Sequence, residues 1–195
     1  MGRHLAQAPA PREREGCLSA ALSWVGVLLA AALCALLLRT FVVEPFVVPT
    51  GSMLETIQLG DRLLGEKVTY RLRDPEPGDV VTFEDPADPG TVLIKRVVAV
   101  EGQTVEMRGG VVLVDGEPLD EPYVTSASAP LDAWCAETLD GPVTYPYVVP
   151  EGCVWVMGDN RANSLDSRYF GAISIDSITS RAWLVYWPVA DAGLL

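Results

Sequence analysis

Val92-Leu93-Ile94-Lys95-Arg96-Val97-Val98-Ala99-Val100 is a run of mostly branched apolar residues that carries two adjacent cations and is closed by Glu101-Gly102. Branched side chains favour extended backbone over helix, so Thr91 to Val100 reads as a strand. Working outward, the chain continues as short β segments cut by turn residues. Val80 to Phe83 follows the turn signal Pro77-Gly78-Asp79, and Val111 to Val114 with Asp115-Gly116 reads as one arm and the turn of a hairpin. Cys153 to Met157 and Ala182 to Trp187 are further strands on either side of a polar stretch, Gly158 to Gly171. Helix signals are scarce beyond Gly60. Residues Pro118 to Pro150 are richer in Pro, Asp, Ser and Ala without clear periodicity, which suggests an insertion or a smaller subdomain. The expected fold class is mostly β.

The exception lies at the N-terminus. Cys17 to Leu38 carries no charge and is long enough to cross a hydrocarbon core of about 30 Å, so residues 17–38 are expected to form one transmembrane helix. A cleavable secretory leader has a shorter apolar stretch and a small-x-small exit, whereas this run ends Leu36-Leu37-Leu38-Arg39-Thr40-Phe41. The alternatives, a lipoprotein-type processing site at Cys34 and a buried helix of a soluble protein, are disfavoured. Arg3, Arg12 and Arg14 precede the run, and Arg39 alone stands between it and Arg62, so residues 1–16 are expected in the cytoplasm and residues 39–195 on the outer face of the cell membrane. Phe41 to Val48, punctuated by Glu44-Pro45, either dips into the interface or starts an edge strand. Both readings keep the following residues near the bilayer.

The formal net charge is −12 and the acidity falls in the exported part, a surface that repels phosphate backbones; no nucleic-acid partner is expected. Cys17 and Cys34 act as small hydrophobes at the apolar run. Cys135 and Cys153 lie in a compartment that permits a disulfide, and a bridge between them and two separate thiols are both open.

Ser52, in Pro49-Thr50-Gly51-Ser52-Met53, follows the connector, and the single histidine, His4, lies on the other side of the apolar run. That separation removes a Ser-His-Asp triad, a cysteine–histidine pair and zinc sites built on histidine. Nothing suggests a metal or organic cofactor. The amine bases available are Lys67 and Lys95. An amine works as a base only when neutral, which requires desolvation. Lys95 sits among apolar residues, whereas Lys67 follows Glu66, which would keep it charged; local sequence therefore favours Lys95, the bland alternative being a strand lysine that reaches solvent. The third element is Gly158-Asp159-Asn160-Arg161-Ala162-Asn163-Ser164-Leu165-Asp166-Ser167-Arg168-Tyr169-Phe170-Gly171. It packs hydroxyls, carboxylates and arginines into a span short enough for a self-contained hydrogen-bonded turn able to orient a neighbouring amine.

At these residues the chain resembles the type I signal peptidases, membrane-anchored Ser-Lys proteases that remove signal peptides from exported preproteins. The anchor, Gly51-Ser52-Met53 with Thr56, Gly60-Asp61, Lys95-Arg96-Val97 through Glu101-Gly102, and Gly158 to Gly171 occur in order, with Pro77-Gly78-Asp79-Val80-Val81 between them. The resemblance implies Ser52 as nucleophile and Lys95 as general base. It implies Thr50, with the Ser52 backbone N–H, in the oxyanion hole, Ser164 as the hydroxyl that orients the lysine, and Asp159, Asp166 and Arg168 as supporting residues. The implied fold is a β-rich catalytic core with a smaller variable β region, placed at 118–150. The implied partners are preprotein signal peptides with small residues before the cut, bound by strand addition at the bilayer surface. One departure stands out: Glu55 occupies the position after Ser-Met-x where the family usually has proline. Two rival readings are a soluble repressor-like Ser-Lys hydrolase and a membrane-tethered β module without turnover.

Overall fold

The computed structural model describes residues 13–130 and 143–195, with side chains described from residue 22. Two compact units divide the chain between Thr40 and Phe41. The first is a single helix, α1 (Glu13–Phe41). It runs past both ends of the 17–38 apolar run because helical hydrogen bonding, once nucleated, propagates through polar residues as readily as through apolar ones. Among the described residues, Leu22–Phe41 is long and apolar enough to cross a membrane. Leucines, valines and Trp24 along it are roughly half to two-thirds exposed.

The second unit is built on antiparallel strands: β1 (Val43–Val47), β2 (Arg62–Glu66), β3 (Val80–Glu84), β4 (Val92–Val100), β5 (Thr104–Arg108), β6 (Val111–Val114), β7 (Glu117–Pro118), β8 (Tyr147–Val148), β9 (Cys153–Met157), β10 (Ile173–Ser174), β11 (Ile178–Trp187) and β12 (Gly193–Leu194). The larger sheet runs β1-β2-β11-β3-β4-β9-β10, with β12 on β11; the smaller runs β7-β6-β5-β8. The connector after α1 is thus an edge strand, β1 pairing with β2 from Val43 to Val47. Asp115 and Gly116 both have positive φ, the geometry that a two-residue hairpin turn between β6 and β7 requires.

β9 is apolar throughout and the flanking β3 and β4 largely so, because both faces of these central strands are covered. Along β9, Val154 and Val156 join one core with Val81, Phe83, Val97, Phe170 and Ile173, while Trp155 and Met157 join another with Val98, Ala99, Val105 and Val112. A third core gathers Val48, Met53, Ile57, Leu63, Val80, Ala182 and Val185. The smaller sheet draws on β5 and β6 as well as on the 118–150 segment, since β8 returns to pair with β5. Cys153 is a free thiol; Cys135 lies outside the described residues.

Two features of β4 place the site. Residues Val92 to Arg96 pair with β3 on one side, but β9 begins to pair with β4 only at Arg96. Among the described residues, the β9-side edge of Val92 to Lys95 is therefore left without a strand partner. The register shift between Val97 and Ala99 marks a bulge just beyond the two cations.

Candidate active site

Ser52 sits in a loop that Val48 and Asp61 close. The Val48 N–H donates to Asp61 O at 2.9 Å, the Gly60 N–H to Val48 O at 2.9 Å, and Gln58 N–H to Asp61 Oδ2 at 2.9 Å. Within the loop the Ile57 N–H donates to Met53 O at 2.9 Å, and the side chains of Met53 and Ile57 are wholly buried. Two apolar plugs thus hold the turn behind Ser52, the place where proline is usual. Glu55 is exposed, and its carbonyl accepts from Gln58 Nε2 at 2.9 Å.

From β4 the Lys95 ammonium donates to Ser52 Oγ at 2.7 Å. Lys95 is 2% exposed and Ser52 7%. Burial pushes the amine from 10.5 to about 8, the Arg168 charge adds to the fall, and the carboxylates of Asp166, Asp85 and Asp159 oppose it. Lys67 is elsewhere: just past β2 it pairs with Glu44 of β1 at 2.7 Å, partly exposed to solvent. The adjacent Glu66, expected to hold it, instead accepts from the backbone N–H groups of Val68 and Thr69. Thr50 stands solvent-exposed on the wall of a cleft of about 320 Å³ that Gly51, Ser52, Leu93, Lys95, Asn163 and Leu165 also line.

The loop after β9 is not self-contained. Asp166 caps the short helix α2 (Ser167–Phe170), accepting from the Gly158 N–H at 3.0 Å and from Arg168 Nε at 2.8 Å. Asp159, however, turns back to β4, where Arg96 grips it through Nε at 2.9 Å and Nη2 at 2.7 Å, and Thr56 Oγ1 donates to it at 2.6 Å. Asn160 holds the backbone around Ser52: its N–H donates to Ser52 O at 3.1 Å and its Nδ2 to Gly51 O at 2.9 Å. Ser164 is buried beside Gly158, but among the described residues its Oγ has no hydrogen-bond partner, Lys95 included. The expected lysine-orienting contact is therefore not made in this geometry; Ser52 Oγ takes the amine alone.

Of the sequence-predicted residues, Ser52, Lys95, Thr50, Asp159, Asp166, Arg168 and Ser164 thus come together, whereas Lys67 does not. Arg96, Thr56 and Asn160 stand inside the motifs but take no role from the sequence alone. The available signal is that Arg96 and Asn160 directly follow Lys95 and Asp159 and that Thr56 comes four positions after Ser52, but nothing in one dimension says that β4 faces the loop.

Residues 21–187 match the family described as signal peptidase, peptidase S26. The chain belongs to the signal peptidase family. A probable signal peptidase I-1 of Synechocystis sp. is 41% identical over 180 residues, 88% of this chain and 85% of that protein. The signal peptidase I of Leptolyngbya laminosa is 37% identical over 168 residues, covering 83% and 77%. The crystal structure of a signal peptidase I from Enterococcus faecalis V583 is 32% identical, covers 56% of this chain and 97% of that one, and has a TM-score of 0.45. Membership of the family makes this chain a serine endopeptidase with signal peptidase I activity, acting on the signal peptides of preproteins. Among the described residues no cluster of His, Cys, Asp or Glu is arranged to hold a metal.

Proposed function

We propose that the chain cleaves signal peptides with a Ser52–Lys95 dyad while anchored by α1. The observation that carries the reading is the 2.7 Å contact between a buried, depressed amine and the Ser52 hydroxyl. At pH 7 a lysine of pKa about 8 is neutral in about one molecule in ten, against about one in 2,500 for a free amine. When Lys95 is neutral the contact reverses, and Ser52 Oγ–H donates to Nζ. The proton passes to Nζ as Oγ attacks the scissile carbonyl carbon, and the oxyanion faces the Ser52 N–H and the Thr50 hydroxyl. Collapse of that intermediate breaks the C–N bond, and the Lys95 ammonium protonates the departing amine. Lys95, neutral again, takes a proton from water to hydrolyse the acyl-enzyme. Asp159, Asp166 and Arg168 hold the loop behind the dyad, and Ser164 supplies a buried hydroxyl beside it.

The unpaired edge of Val92 to Lys95 accommodates an extended segment by strand addition. An apolar cavity of about 120 Å³ lies against it, lined by Phe46, Val48, Leu63, Val92 and Ile94 among others. That volume suits small side chains, supporting substrates with small residues before the cut. The arginines before the apolar run support an N-terminus in the cytoplasm and a catalytic unit on the outer face of the bilayer.

The test is cleavage of a preprotein by wild type, Ser52→Ala, Lys95→Ala and Lys67→Ala in matched detergent, with folding checked. Loss in the first two variants and retention in the third is expected. Activity without Lys95 would require another base.

A further inference from the structure

Three arginines around the dyad reach into one stretch, Glu121 to Ala129. Arg96, clamped on Asp159, lies under the Tyr123 ring with 4.1 Å between guanidinium carbon and ring centroid. Arg168 Nη1 donates to Ala129 O at 3.2 Å. Arg161 is held most completely: Nη1 donates to Glu121 Oε2 at 3.0 Å and to Ser128 Oγ at 2.7 Å, Nη2 donates to Glu121 Oε1, and Nε donates to Gly158 O at 2.9 Å.

Arg161 is 1% exposed and makes no hydrogen bond to Ser52 or Lys95. Burying a guanidinium is costly unless it is paired, and an apolar side chain fills space at less cost. What the charged pair supplies is direction. Its planar fork, fixed on one side by the Glu121 carboxylate, presents Nε to the Gly158 carbonyl. Two residues on, Asn160 grips the Gly51 and Ser52 carbonyls. Those carbonyls belong to the peptide planes flanking Ser52, so their placement sets where the Ser52 N–H points.

We propose that Glu121 is a positioning residue for the reaction, acting through Arg161 and the Gly158–Asn160 segment on the backbone of Ser52. The assignment rests on Ser52 being the nucleophile. Glu121 lies away from the cleft wall formed by Leu93, Asn163 and Leu165, so its influence falls on the geometry of the reacting peptide rather than on substrate capture. Removing the carboxylate while keeping its shape therefore lowers kcat and leaves KM nearly unchanged.

The experiment is steady-state cleavage of a preprotein by the full chain in detergent, comparing wild type with Glu121→Gln, Glu121→Asp, Ser128→Ala and Ser52→Ala, with thermal midpoints recorded for each. Glu121→Gln is expected to lower kcat by about 10- to 100-fold, the loss a displaced catalytic group produces, with KM within about twofold. Glu121→Asp, which restores the charge, recovers part of the loss. An unchanged kcat in Glu121→Gln, or a loss that only tracks the unfolded fraction, overturns the proposal. If Glu121→Gln does not fold, Glu121→Asp and Ser128→Ala decide by the same kcat-against-KM criterion. Activity surviving in Ser52→Ala would overturn the nucleophile assignment and the Glu121 role with it. Loss in Ser52→Ala beside an unchanged Glu121→Gln overturns the positioning role alone.

Discussion

At the scale of single residues, Lys95, as the proposed base, trades stability for chemistry. Its amine titrates at about 8 in the folded chain and at 10.5 when free, so between those values the unfolded chain binds the extra proton and stability rises with pH. The penalty is full below pH 8 and gone above 10.5. Lys95→Met is expected to raise thermal stability at pH 6 to 7, by up to about 3 kcal/mol, with the gain vanishing by about pH 11. Melting curves across that range check it; a variant less stable at neutral pH would contradict the buried-charge account. The same titration makes wild-type kcat/KM climb from pH 6.5 and level off above about 8, measured on a substrate without groups that titrate there. Gly158 offers a second test. A Cβ there would collide with Ser164 Oγ and with the Ser52 carbonyl oxygen, so Gly158→Ala should cost about 100-fold in kcat by shifting the nucleophile's peptide.

At the scale of elements, the turn before β3 is tied down by one carboxylate. Asp79 accepts from Arg73 at 2.8 and 3.0 Å, from Arg181 of β11 at 3.0 Å and from the Glu76 N–H at 3.1 Å. Burial alone would raise its pKa, but the Arg73 hydrogen bonds, the Glu76 N–H and the Arg181 and Arg73 charges together hold it below 3.8. A carboxylate depressed in this way stabilises the fold above pH 3.8 and loses that contribution as pH falls through the folded value. Asp79→Asn should therefore cost on the order of 2 kcal/mol at neutral pH, and the difference from wild type should shrink as the pH falls below 3.8 and through the depressed folded value. Chemical denaturation at the two pH values reads both numbers. Four strands were legible to within a residue, Val80 to Phe83, Thr91 to Val100, Val111 to Val114 and Cys153 to Met157 matching β3, β4, β6 and β9, while Ala182 to Trp187 caught only the second half of β11. β8 was not, because two residues paired across a long connection carry no periodicity.

At the scale of the whole molecule, the unit from Phe41 to Leu195 carries its own three cores and includes β1. A chain beginning at Phe41 is expected to fold with a cooperative melt, whereas one beginning at Pro49 loses β1 and the buried Val48 and should melt at a visibly lower temperature. Equal midpoints for the two truncations would show that β1 is dispensable to the core. By itself the sequence determined which residue types could react. One histidine before the apolar run and two lysines after it pointed to Ser-Lys chemistry as the option, and hydrophobic patterning along the chain marked β3, β4, β6, β9 and the second half of β11. Only the tertiary structure decided which partners meet. Lys67 found Glu44 and not Glu66, Asp159 found Arg96, and Arg161 found Glu121, forty positions away. Strand order and loop closure set those distances, and neither is written in the spacing of residues along one chain.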